Sequence, residues 1–310
     1  MAYIGIQKQI SKNNRNSALM LIAFPSVMLA MVYLFMLATT VETYTTPWQE
    51  FLKAAPWVMA FTVIWFFIAW NFNVAMINAA TGSRTLARKE NKRVYNLVEN
   101  LCIANGMPMP KVNVIEDDSL NAFASGINNR TYTVSLSRGI INRLNDDELE
   151  GVIAHELVHI RNRDVRLLII SIIFVGIFAF LANMAMRSFH FSAFSRSRDS
   201  KNSAPIILLI MVLAGIAYLV SILLRFGISR SREYMADAGA SEMTRKPWAL
   251  ASALRKISGD PRIEAVENSD VAQMFIENPK LSDNKGFSLS SVFATHPPIQ
   301  KRITLLEQFA

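Results

Sequence analysis

Charge is scarce in this sequence. Asp, Glu, Lys and Arg make up 18% of its 310 residues, below the roughly 25% usual in soluble domains, while 52% are hydrophobic. Four runs, Ser17–Thr40, Pro56–Ala80, Leu167–Met186 and Ala204–Leu224, hold no charged residue. Each is long enough to cross a hydrocarbon core of roughly 30 Å as a helix, and core helices of soluble proteins rarely run so far without a charge. Part of the chain is therefore expected to sit in lipid. The same absence argues against a transporter, because the runs offer no charged side chain for an ion pathway. Cysteine is scarcer still: Cys102 stands alone, so no intrachain disulfide can form, and it reads as a small buried apolar residue. Histidine occurs four times, so two of them at ligand spacing carry information.

Acidic residues are outnumbered, and the net charge is +8. Nucleic-acid binding is not the reading this favours, because the basic residues flank the apolar runs. Lys8, Lys12 and Arg15 precede the first run, and Arg84, Arg88, Lys89, Lys92 and Arg93 follow the second. Arg161, Arg163 and Arg166 precede the third, and Arg225, Arg230 and Arg232 follow the fourth. Basic flanks mark the cytoplasmic side of membrane helices, which puts both termini and the central segment there. The connection 187–203 disagrees: alternation places it outside, yet it carries Arg187, Arg196, Arg198 and Lys201 against Asp199. The first run is longer than a signal-peptide apolar core and follows a polar basic segment, so it reads as a retained anchor. The expected layout is an N-terminal hairpin over 1–80 (spans about 17–40 and 56–80), a first soluble part over 81–164, a second hairpin over 165–226 (spans about 167–186 and 204–224) and a second soluble part over 227–310.

Outside the runs the pattern is mixed α and β. Leu86, Val94, Leu97, Val98 and Leu101 share a face, which predicts an amphipathic helix over Arg84–Asn105. Strands are expected at Lys111–Ile115, Leu120–Ser125 and Thr131–Ser137, in a small antiparallel sheet, with Gly126 and Asn128–Asn129 turning the last pair. Asn145, three residues before Glu148, caps a helix expected to run to about Asn162. Further helices are expected at Ser229–Thr244, from Pro247 to about Ser258, and after Pro297–Pro298 to near Gln308.

The chemistry lies on the helix that Asn145 opens. His155-Glu156-Leu157-Val158-His159 puts two imidazoles one turn apart on one face, where they can hold one metal ion. Glu156 beside them is placed to act as a base toward water that such an ion activates. A catalytic zinc site takes three protein ligands and keeps one position open. The third ligand is not a histidine of the metzincin pattern, whose glycine and histidine positions are Asn162 and Val165 here. Glu233, with Asp237 four residues on, supplies a carboxylate. By spacing alone, Glu233 is as readily a solvated partner of a neighbouring arginine as a ligand.

Four segments together carry a resemblance. They are Asn121-Ala122-Phe123-Ala124, the His155–His159 motif, Glu233-Tyr234-Met235-Ala236-Asp237, and Thr295-His296-Pro297-Pro298 with Arg302-Ile303. In order and spacing the chain resembles the HtpX-like membrane zinc metalloproteases, relatives of the type 1 CAAX prenyl proteases, over nearly its whole length. The resemblance implies a mostly helical α+β integral membrane protein, with four transmembrane helices and a cytoplasmic zincin-like catalytic unit of the gluzincin type. It implies one Zn2+ per chain, held by His155, His159 and Glu233, with Glu156 catalytic and Asp237 bonded to a ligand imidazole. It implies that Asn121, Ala122, Phe123 and Ala124 form an edge strand for substrate, that His296 stabilises the developing oxyanion, and that Arg302 pairs with Asp237 or Glu233. It further implies proteolysis of unfolded or membrane-protein substrates in the inner membrane, with quality-control partners and no nucleic acid. The rivals are a processing enzyme for one defined peptide and a non-catalytic scaffold retaining a structural metal; Glu156 argues against the second, since a structural site needs no carboxylate there.

Overall fold

The computed structural model describes residues 6–39, 45–194, 209–212, 215–216, 231–259 and 297–309. Two compact units emerge: Met1–Asn14 with Phe72–Ile169 and Ile228–Ala310, and Arg15–Asn71 with Ile170–Gly227. Two long helices come first, α1 (Ile6–Thr39) and α2 (Pro47–Thr81). Among the described residues these are the two helices long and apolar enough to cross a membrane. The third run lies on α6 (Asp164–Phe194), a single helix of 31 residues. Most of the fourth run and of the basic 187–203 connection falls outside the described residues.

In the hairpin unit the packing is aromatic. The Phe24 ring stacks on Phe174 at 4.2 Å and lies 5.8 Å from Phe178, and Phe66 stacks on Phe174 from another side. Elsewhere in this unit apolar side chains point outward: Trp57, Val63, Ile64 and Phe67 are all exposed, with Trp57 at 79%. In water such a stripe would cost about 25 cal/mol per Å2, so its natural surroundings are lipid.

The other unit holds a four-stranded sheet. Strands β1 (Ser83–Thr85), β2 (Lys111–Ile115), β3 (Ala122–Ser125) and β4 (Thr133–Ser137) lie in the order β1-β2-β4-β3. The sheet is mixed, which corrects the antiparallel expectation: β2 pairs with β4 in parallel, Val112 opposite Val134, while β1–β2 and β3–β4 are antiparallel. Alternation of apolar residues carries no information on strand direction, so the pattern could not distinguish the two. The expected helix at Arg84–Asn105 is also corrected. Its first residues form β1 and a turn, and α3 (Lys92–Ala104) starts where the Asn91 side chain accepts the Val94 N–H. Gly126 turns β3 into β4 with φ of 101°, and a Cβ there would stand 2.3 Å from the Thr131 carbonyl oxygen.

Ser137 caps α4 (Arg138–Arg143), and Asn145 with Glu148 forms a reciprocal capping box on α5 (Asp146–Arg161). Leu149, Val152, Ile153, Leu157 and Val158 of α5 are buried on every side by β3, α3, α7 (Ser231–Thr244) and α8 (Pro247–Ile257). Each such side chain contributes about 1.5–3 kcal/mol. The approach of α7 is close: a Cβ on Gly239 would meet Val158 Cγ2 at 2.9 Å. That closeness brings the acidic side chains of α7 to the histidine face of α5. The last helix, α9 (Ile299–Glu307), packs on α7 and α8.

Candidate metal centre

Three elements build the site. Helix α5 supplies His155, Glu156 and His159, α7 supplies Glu233 and Asp237, and α9 supplies Arg302. The two imidazoles meet as α-helical spacing dictates, ring centroids 4.7 Å apart, with their Nε2 atoms 3.2 Å from one another. A Glu233 carboxylate oxygen lies 3.6 Å from His155 Nε2, and the other lies 3.5 Å from His159 Nε2. The donor atoms of this trio all lie within 4.8 Å of one another. A tetrahedral ion with bonds of about 2.0–2.1 Å separates its ligand atoms by about 3.3–3.4 Å, close to the 3.2 Å between the two Nε2 atoms and to the 3.5–3.6 Å from each of them to a Glu233 oxygen.

Charge supports the same fit. Glu156, Asp164, Glu233 and Asp237 are all buried, and the buried cation beside them among the described residues is Arg302. Arg302 faces Glu233 and Asp237, and the Arg232 guanidinium comes within 4.0 Å of Asp164; a divalent cation at the imidazole–carboxylate cluster would add positive charge beside these acids. The two-nitrogen, one-oxygen donor set is the type that zinc accepts.

Both imidazoles are held from behind. Asp237 Oδ1 lies 3.0 Å from His155 Nδ1, and Asp164 Oδ2 lies 3.1 Å from His159 Nδ1. A carboxylate on Nδ1 keeps the proton there and leaves the Nε2 lone pair for the metal. Asp237 is clamped in turn by Arg302, whose Nε and Nη2 donate to its two oxygens at 2.8 and 2.7 Å. Arg302 Nη1 also lies 3.5 Å from Glu233 Oε2, so one guanidinium spans the two buried carboxylates of α7. Burial opposes ionisation of Asp237, but the Arg302 guanidinium overcomes it and holds the acid below its ordinary range. Burial also opposes charging of His155, yet Asp237 and Glu233 hold its pKa up at about 9. Metal binding there displaces a proton.

Glu156 is different in kind. Burial pushes its pKa up, the nearby Glu233 charge adds to this, and the two histidines and the Ala124 N–H partly offset it. Ala124 lies on β3, so the strand touches this carboxylate directly. Asn121, Ala122, Phe123 and Ala124 lie at the end of the sheet order, and among the described residues β3 pairs only with β4. They are buried, and Asn121 turns its own amide oxygen to the Ala122 N–H at 2.9 Å. His296 lies outside the described residues.

Asp164 is the residue that the motif reading missed. It follows the end of α5, where Arg163 adopts a left-handed φ of 60° and turns the chain so that the first carboxylate of α6 faces back to His159. The one sequence signal was an acid five positions beyond the second histidine, past a break that helical spacing does not cover.

The sequence profile described as Peptidase family M48 matches residues 88–310. A protein named Protease HtpX homolog from Bacteroides fragilis is 58% identical over 322 aligned positions, covering 100% of both chains. A second of that name, from Lactobacillus helveticus, is 34% identical over 98% of this chain and 99% of its own. Among solved structures, S. mikatae Ste24p is similar with a TM-score of 0.48 at 20% identity, over 96% of this chain and 66% of that one.

Proposed function

The chain belongs to peptidase family M48 and is a membrane metalloprotease, and from that premise we propose that it is a zinc-dependent endopeptidase of a bacterial inner membrane, cleaving misfolded or damaged membrane proteins on the cytoplasmic side. The observation that carries the reading is the cluster of His155, His159 and Glu233, whose donor atoms lie within 4.8 Å of one another, with Glu156 buried beside it.

His155 and His159 offer Nε2 and Glu233 offers a carboxylate oxygen to one ion per chain. Bound there, zinc supplies Lewis acidity toward a carbonyl and toward water. Glu156 accepts a proton from the attacking water on its carboxylate and delivers it to the leaving amine nitrogen. Its raised proton affinity suits that exchange. Asp237 and Asp164 hold the Nδ1 protons of the two imidazoles, and Arg302 fixes Asp237. His296 is assigned, from the resemblance, to stabilising the oxyanion.

Strand β3 is the proposed substrate rail. An extended peptide adds to a strand edge through backbone hydrogen bonds, which read no side-chain sequence. That suits an enzyme acting on many unrelated unfolded chains. Because the strand is buried, pairing with substrate requires its edge to become accessible. The basic flanks of the apolar runs support four spans with the catalytic unit on the cytoplasmic side.

The reading is tested in liposomes, by offering unrelated membrane proteins in native and destabilised forms to the wild type and to Glu156→Gln. We expect several internal cuts, confined to destabilised forms and absent with the variant. A single cut in one defined substrate, with the others intact, would replace this reading with that of a processing enzyme.

A further inference from the structure

The Asp164 carboxylate that holds His159 is itself held from the other end of the chain. Asn13, in the opening turns of α1, donates from Nδ2 to Asp164 Oδ1 at 2.6 Å and to the Asn162 carbonyl at 2.8 Å. Its Oδ1 accepts from Gln9 Nε2 at 3.2 Å. Gln9 and Asn13 stand four residues apart on one face of α1, and Gln9, Asn13 and Asp164 are each 2% exposed. The amide orientation follows from the network: the end facing a carboxylate and a carbonyl must be the donor end. Both oxygens of Asp164 are thereby occupied, Oδ2 by the His159 Nδ1–H and Oδ1 by Asn13.

Resting on the metal-centre reading, we propose that Asn13 is a positioning residue for the metal centre, acting through Asp164 on His159. The beginning of the first apolar helix is thus part of the catalytic apparatus as well as an anchor. A carboxylate with one free oxygen can swing and take the imidazole with it; the amide removes that freedom and also pins the carbonyl of the residue that ends α5. The contact spans 151 residues of sequence, and no helical or strand pattern announces it.

The test titrates metal-free full-length protein in detergent with zinc against a competing chelator, and measures kcat and KM for casein on the zinc-loaded protein. Removing a partner of a ligand imidazole typically costs about 10- to 100-fold in metal affinity, and that is the loss expected for Asp164→Asn. For Asn13→Leu, one bond further out, about three- to tenfold is expected, with kcat reduced and KM little changed. In the Asp164→Asn background the further effect of Asn13→Leu on zinc affinity should vanish, because the two act in series. A lowered unfolding temperature with unchanged zinc affinity would make Asn13 a packing residue only and overturn the proposal. So would losses that add in the double variant. Should Asn13→Leu not fold, Asn13→Asp decides. Alone it opposes two carboxylates and lowers zinc affinity, whereas Asn13→Asp with Asp164→Asn restores a donor facing an acceptor and regains part of it. Equal affinity in those two variants contradicts the proposal. If no variant cleaves but the zinc affinities fall in this order, the protease reading is at fault and the positioning role stands.

Discussion

The two units of this chain are held together by opposite means. In the hairpin unit, aromatic rings stack and apolar side chains face outward; in the catalytic unit, buried acids are each tied to a cation, an imidazole or a backbone donor. Apolar packing is tolerant: a ring can shift by a few tenths of an ångström at little cost. A buried carboxylate is not, since losing one partner leaves a charge without compensation. Precision is therefore concentrated where the proposed metal ligands stand, and the hairpin unit can meet its demands with volume and hydrophobicity.

The largest break in this contrast is expected from Glu233→Ala. It removes the carboxylate from the ligand triangle and should abolish both stoichiometric zinc and proteolysis, read by metal analysis of the purified protein. Retention of one zinc per chain would move the third ligand elsewhere. Next comes Arg302→Met, which strands Asp237 and Glu233 without their cation. A loss of about 3–5 kcal/mol in metal-free stability is expected, measured by denaturant unfolding in detergent. A loss below about 1 kcal/mol would mean that those acids are not ionised in the fold. In the hairpin unit, Phe24→Ala removes a ring stacked on Phe174, and about 2 kcal/mol is expected, with zinc content untouched. If zinc is lost with it, the two units do not divide their tasks as described.

The smallest effect concerns acid. Burial alone would raise the pKa of Glu148, but the Lys256 ammonium, the Asn145 N–H and the Ser252 hydroxyl bond its carboxylate and hold it below its ordinary value of 4.5. A lowered folded-state pKa gives stability that is complete above the unfolded value and lost as pH falls through the folded one. Melting temperature should therefore drop from about pH 4.5 downward, and Glu148→Gln should flatten part of that slope. An unchanged slope would show that other carboxylates govern acid unfolding.

How far the sequence announced this arrangement depended on whether each contact obeys a period. His155 and His159 were legible because one helical turn separates them and their chemistry has few other uses. Glu233, in a separate segment, became legible only through the motif around it. Asp237 was legible from its place four residues after Glu233 on the same face, Arg302 came with the resemblance, and their 2.7 and 2.8 Å bonds show only in the folded chain. Asp164 lay hidden behind the left-handed turn at Arg163, and Asn13 behind a separation of 151 residues. The parallel β2–β4 pairing was hidden because alternation is the same in both directions. Local periodicity showed where the elements are; the partners that fix the ligands come from elements distant in sequence.

The most direct test of the account measures zinc content and casein cleavage on purified wild type and Glu156→Gln in parallel. About one zinc in each and cleavage by wild type alone are expected if Glu156, as proposed, moves the proton and does not hold the ion. Cleavage by Glu156→Gln at the wild-type rate would contradict the account.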